Sequence, residues 1–264
     1  MQNVINLVLN TLFVSIPEET VWVIFTLIFL KRFDLLDKYR WKENIRWIMI
    51  PVIPTAIITN IFRYIIHVPQ LAMFIIAQAI FYSLMIYIIK ESTFIEHKPP
   101  YLKVLLYAFL SNIIIFVTEV IYVPLVLGII QKTIAELNAD IYLNILFSTP
   151  SRILQIIIIA FLLYGYSKNK ECDIFKNIIK DKTIAIVSLV FLGVVLIVIL
   201  FVVVFIGQSK LLIDLSVYLQ VIIGVLMVVI PTIIICLYFI PINYLLSKIH
   251  NMQKSYQNMF NDTA

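Results

Sequence analysis

Long apolar runs separated by short charged connections constrain this chain more than any other feature. Six are plain: residues 45–66, 71–89, 104–130, 145–166, 183–206 and 217–240. Each is near or above the ~20 residues that a helix needs to cross a bilayer. Hydrocarbon offers no partner to backbone N–H and C=O groups, so a run of this length satisfies them internally, as a helix. A membrane β-barrel would show short alternating segments instead. Composition agrees: 62% of the 264 residues are hydrophobic and 13% charged, where a soluble domain is about half apolar and a quarter charged. A soluble domain of this size cannot bury such an excess, and a disordered chain would be poor in apolar residues. The expected fold is an all-α polytopic membrane protein with the lipid bilayer around it.

The N-terminal stretch admits two readings. Residues 1–16 are apolar, Pro17-Glu18-Glu19 interrupts them, and residues 20–30 resume the run. At ~1.5 Å per residue the second piece reaches about half way across the hydrocarbon. A first span therefore includes the Pro-Glu-Glu step or begins at it. In the second case Ser15 is an N-cap with Glu18 at N3, a capping box, and residues 1–14 form an interfacial helix. No basic stretch precedes the first run, so no cleaved signal peptide is expected.

The connections set an orientation. Lys31, Arg32, Lys38, Arg40, Lys42 and Arg46 follow the first span. Lys90, Lys98 and Lys103 follow the third, Lys168, Lys170, Lys176, Lys180 and Lys182 the fifth, and Lys248 and Lys254 the seventh. The alternate connections hold only Arg63, Lys132 and Lys210. Short Lys/Arg-rich loops stay cytoplasmic, which predicts seven spans, N-terminus outside and C-terminus inside. The domain reading is a transmembrane part, 1–241, and a cytoplasmic helical tail, 242–264. Lys outnumbers Arg, and Ile, Phe and Tyr are abundant. This points to an AT-rich bacterial genome and the bacterial cytoplasmic membrane.

Ionisable residues inside spans are costly and mark function by default. The candidates are Glu18 and Glu19 in the first span, Glu119 in the fourth and Arg152 in the fifth. Counting along helices puts Glu119 roughly 15 Å and Arg152 roughly 11 Å from the outer face. Asn60 and Gln78 fall in the same half, with Gln220 and Arg63 nearer the surface. The sixth span has no polar residue at depth and reads as lipid-facing. Polar groups on one side suit a pocket open to the outside; a conduction path needs them through the full thickness. The competing reading makes Glu119 and Arg152 a structural ion pair and the amides packing contacts. Pro51, Pro54, Pro124, Pro150 and Pro231 lie within spans and are read as static kinks.

Catalytic motifs fail. Glu18-Glu19 is similar to the Glu-Glu pair of membrane-embedded CAAX-type proteases, but the Arg that follows in that family is missing and no span has a central His. There is no H-E-x-x-H, paired Cys, G-x-S-x-G or Gly-rich phosphate loop. Cys172 with His97 as base has no supporting spacing. The expectation is a non-enzyme with no metal, no cofactor and no nucleic-acid partner.

Beyond Pro241 the apolar residues Ile242, Leu245, Ile249, Met252, Tyr256 and Met259 follow 3-4-3-4-3 spacing. That is a heptad seam, read as a parallel dimeric coiled coil, with a helix lying on the inner leaflet as the alternative. Several spans, this orientation and a heptad helix resemble the membrane sensor portion of accessory-gene-regulator type quorum-sensing receptor kinases. Ser15-Ile16-Pro17-Glu18-Glu19 and Leu30-Lys31-Arg32-Phe33-Asp34-Leu35-Leu36 resemble related clostridial multi-pass membrane proteins. The resemblance implies a sensor for an exported peptide. It also implies a kinase part after the tail, yet His250 in Lys-Ile-His-Asn-Met-Gln lacks the acidic and Pro context of a phosphoacceptor box. The expected partner is then a second copy or a separate histidine kinase. The expected ligand site is Glu18, Glu19, Asn60, Gln78, Glu119 and Arg152. A small transporter or permease subunit, or an assembly protein with no ligand, are the alternatives.

Overall fold

The computed structural model describes residues 2–91, 100–120, 129–130, 132, 136, 140–168, 177–208 and 217–262. Among these the regular elements are all helical: α1 (Gln2–Asn10), α2 (Ile16–Phe29), α3 (Trp41–Ile61), α4 (Gln70–Glu91), α5 (Tyr101–Val120), α6 (Ile141–Lys168), α7 (Lys182–Gln208) and α8 (Val217–Asp262). Among the described residues seven apolar helices are long enough to cross a membrane, matching the count expected from the sequence. Residues 121–128 of the fourth run, with Pro124, lie outside the described residues, as do His97 and Cys172.

The first span is one helix through Pro17, and the capping-box alternative is overturned. Ser15 has φ −73° and ψ −44°, helical values, and makes no capping bond. A π turn over Thr11–Ser15 joins α1 to α2, with Ile16 N–H bonded to the Thr11 carbonyl. Pro17 has no N–H to give the carbonyl four residues back. The wider turn absorbs that mismatch, as π turns in helices do. Pro51, Pro54, Pro150, Pro231 and Pro241 likewise sit inside unbroken helices.

This N-terminal helix is the centre of the bundle. Val23, Phe25, Leu27, Ile28 and Phe29 point in several directions and all are buried, because α3, α5 and α6 pack around α2. Trp22 stacks on Phe81 of α4, ring centroids 4.0 Å apart, and its Nε1 donates to the Ala108 carbonyl at 3.3 Å. Tyr82 stacks on Phe109 at 4.6 Å. In lipid, helices associate by such close packing rather than by a hydrophobic difference.

The sixth span is not simply lipid-facing. In α7, Ala185, Ser188, Leu192, Leu196 and Ile199 are buried against α5, while Val187, Val190, Val194 and Phe201 face outward. The apolar window of α7 is 39% buried, against 11% for α6 and 6% for α8. A span without charges or amides still packs well when its β-branched and small side chains fit a neighbour.

The basic connection after α2 is a built turn. Lys31 takes φ 59°, and Arg32, buried, holds Asp34 through Nε and Nη2, both at 2.8 Å. Asn44 Nδ2 donates to the Asp34 carbonyl at 2.9 Å, closing the turn onto α3.

Candidate functional site

Three of the four ionisable candidates meet directly. Arg152 Nη2 lies 2.9 Å from Glu18 Oε2 and 3.1 Å from Glu119 Oε1, so one guanidinium joins α6 to α2 and α5. Its Nη1 donates to Gln155 Oε1 at 2.8 Å. Gln155 Nε2 donates to Thr118 Oγ1 at 2.9 Å, and Thr118 donates on to the Ile115 carbonyl at 2.6 Å. Glu19 follows Glu18 on the helix and is buried, with Oε2 lacking a hydrogen-bond partner. It lies within electrostatic reach of Glu18, Arg152 and Tyr82.

The cluster has a floor. Trp22 is one turn beyond Glu18 and Glu19 on α2, and the rings of Trp22, Phe81, Tyr82 and Phe109 close the layer beneath. The polar contacts at and past that layer include the Asn112 amide on Tyr82 OH at 3.3 Å and a hydroxyl pair, Thr26 to Ser111 at 3.2 Å. The charged groups thus occupy the half of the bundle away from the basic connections.

Asn60 belongs to a different network. Asn144 Nδ2 donates to Asn10 Oδ1 at 3.2 Å, and Asn10 Nδ2 to Asn60 Oδ1 at 2.7 Å. Asn60 Nδ2 donates to Ser15 Oγ at 2.8 Å and to the Ala56 carbonyl at 2.9 Å. This chain ties α6, α1 and α3 together, and its side chains are buried. It has the character of a structural clasp. Asn60→Leu is expected to cost roughly 1–2 kcal/mol, since it strands the Asn10 amide without an acceptor. Thermal unfolding of the purified full chain in detergent measures it; a loss no larger than that of a lipid-facing control such as Ile57→Leu would remove the clasp role. Gln78 is buried with its Oε1 unpartnered, and no bond links it to Arg152 among the described residues.

Sequence reasoning missed Gln155, Thr118, Asn10 and Asn144. The signal for the α6 members was present: Asn144, Ser148, Ser151 and Gln155 follow 4-3-4 spacing and are buried at 9% exposure or less. That stripe places Arg152 at the edge of the face α6 turns inward.

No family model, curated protein or solved structure matches the chain. The site is therefore read from its own chemistry. Among the described residues no group of three or more His, Cys, Asp or Glu could hold a metal ion.

Proposed function

We propose that this chain is an integral membrane receptor whose ligand, a small molecule or exported peptide, binds at the Arg152 cluster from outside. The signal leaves through α8 to a second copy or a separate histidine kinase. The observation that carries the reading is the one-sided charge: Glu18, Glu19, Glu119 and Arg152 share one half of the bundle, above a layer of packed rings. Transport needs access from both faces, and the ring layer argues against it. A ligand-free assembly protein would have its cluster fully paired. Here Glu19 Oε2 has no partner and the Glu18 side chain is 36% exposed.

The output element is α8. It touches α5, α7 and the 178–180 turn, with Tyr238 stacked on Phe191 at 4.0 Å, and only 6% of its apolar stretch is buried. A helix held at few points costs little to shift. A ligand moves such an equilibrium only by binding the two states differently.

The test is Glu119→Gln. The amide still accepts from Arg152, so the protein should insert at normal levels, but the cluster charge changes. With conditioned medium of the bacterium that carries the chain as ligand source, and disulfide trapping at Ile249→Cys as readout, the variant should need at least ~10-fold more medium, about 1.4 kcal/mol. An unchanged response would rule out this pocket as the ligand site.

A further inference from the structure

The cluster carries more acid than base. Glu18, Glu19 and Glu119 stand against one guanidinium, and Arg152 is the cation within reach of both Glu19 and Glu119 among the described residues. Glu18 and Glu119 both use the same Arg152 nitrogen, Nη2. Glu19 makes no ion pair among the described residues, is 6% exposed, and leaves Oε2 without a hydrogen-bond donor. A buried carboxylate oxygen without a donor carries the full cost of its lost hydration. What Glu19 Oε2 lacks is a hydrogen-bond donor.

From this geometry we infer that the ligand presents an ammonium group, a primary amine or the N-terminus or lysine side chain of a peptide, and that Glu19 receives it. An ammonium has three N–H donors and no acceptor. One can go to Glu19 Oε2 and the others to neighbouring carboxylate oxygens, while the attached apolar part rests on Trp22 and Tyr82. The inference rests on the receptor reading above and narrows its ligand to a cation. An anionic headgroup would meet three carboxylates for one Arg, and that Arg is already engaged by two of them.

Three probes matched in chain length separate the cases: hexylammonium, hexanol and hexanoate, each titrated at neutral pH against the full chain in lipid nanodiscs, with thermal unfolding as readout. Hexylammonium is expected to raise the Tm in a saturable way, with hexanol and hexanoate raising it little. Glu19→Gln should weaken the hexylammonium response at least ~10-fold, about 1.4 kcal/mol. Glu119→Gln, which keeps the Arg152 contact, should weaken it less; it serves as the folded comparison if Glu19→Gln inserts poorly. Equal shifts by hexylammonium and hexanol would overturn the cation requirement. A saturable hexanoate response lost in Arg152→Gln would overturn it too, yet leave a pocket standing. Silence of all three probes would overturn both the cation class and the binding reading.

Discussion

Arg152→Met is expected to destabilise the full chain by about 3 kcal/mol. The guanidinium holds Glu18 at 2.9 Å, Glu119 at 3.1 Å and Gln155 at 2.8 Å, so its removal strands two carboxylates beside each other and opens the Gln155–Thr118 chain. Removing one member of a buried pair costs about 3–5 kcal/mol, because the remaining charge stays desolvated. The low end applies because the Glu18 side chain is 36% exposed and is partly screened. The decisive control is rescue. Adding Glu18→Gln and Glu119→Gln to Arg152→Met removes the charges that the guanidinium balanced, and should recover most of the loss. Thermal unfolding in detergent, beside the lipid-facing control Ile153→Met, measures each step. If the triple variant is no better than the single one, the loss comes from packing or from the Gln155 chain, and the ion triad does not hold the helices.

The fold was legible because hydrocarbon imposes one rule on every residue of a span. Run length located six helices outright, and the alternating basic connections supported a seventh at the N-terminus. What run length could not show was which helix stands in the middle. The first span, broken on paper by Pro17-Glu18-Glu19, is the one that α3, α5 and α6 surround. The break is a π turn at Thr11–Ser15, a local backbone adjustment to Pro17 that keeps the helix running. The same limit explains the sixth span. Absence of charges and amides says nothing about which small and apolar side chains interlock, and α7 packs on α5 while burying Ala185, Ser188 and Leu192.

The candidate site was half legible. Charge at depth is rare enough that Glu18, Glu119 and Arg152 stood out singly, and depth counting placed them in the same half of the membrane. Amides are not rare enough. Asn60 and Gln78 looked equivalent in the chain, yet Asn60 sits in the Asn10–Asn144 clasp. Gln155, which extends the Arg152 network, was overlooked. Partners in membrane helices are set by rotation about each helix axis, and rotation shows in sequence only through periodic spacing, as along Asn144, Ser148, Ser151 and Gln155.

Cysteines placed along the tail seam are expected to form interchain disulfides with heptad periodicity, an all-or-none effect. Helix α8 runs 46 residues from Val217 to Asp262, roughly 69 Å at 1.5 Å per residue, against ~30 Å of hydrocarbon. It continues through Pro241 without a break, whereas a helix lying flat on the inner leaflet would need a sharp bend there. One face of the tail is spent inside the molecule: Leu246 is buried and Ile242 packs against the core. Ile242, the first seam residue, is spent there too; the seam from Leu245 onward lies about a quarter turn from Leu246 round the helix and is exposed. Leu245, Ile249, Met252 and Tyr256 are all about half exposed, and Met259 continues their spacing. In the Cys172→Ser/Cys236→Ser background, Leu245→Cys, Ile249→Cys, Met252→Cys, Tyr256→Cys and Met259→Cys should crosslink between copies in native membranes. Ser247→Cys, Asn251→Cys and Lys254→Cys, on the far face, should not. Packing of a and d positions brings identical seam residues of two parallel helices together, so such a pattern requires a parallel dimer along this face. Crosslinking at every position alike would mean random collision, and none at all would leave the seam to lipid. Either result would take away the output half of the receptor reading, while the Arg152 cluster would stand or fall on its own tests.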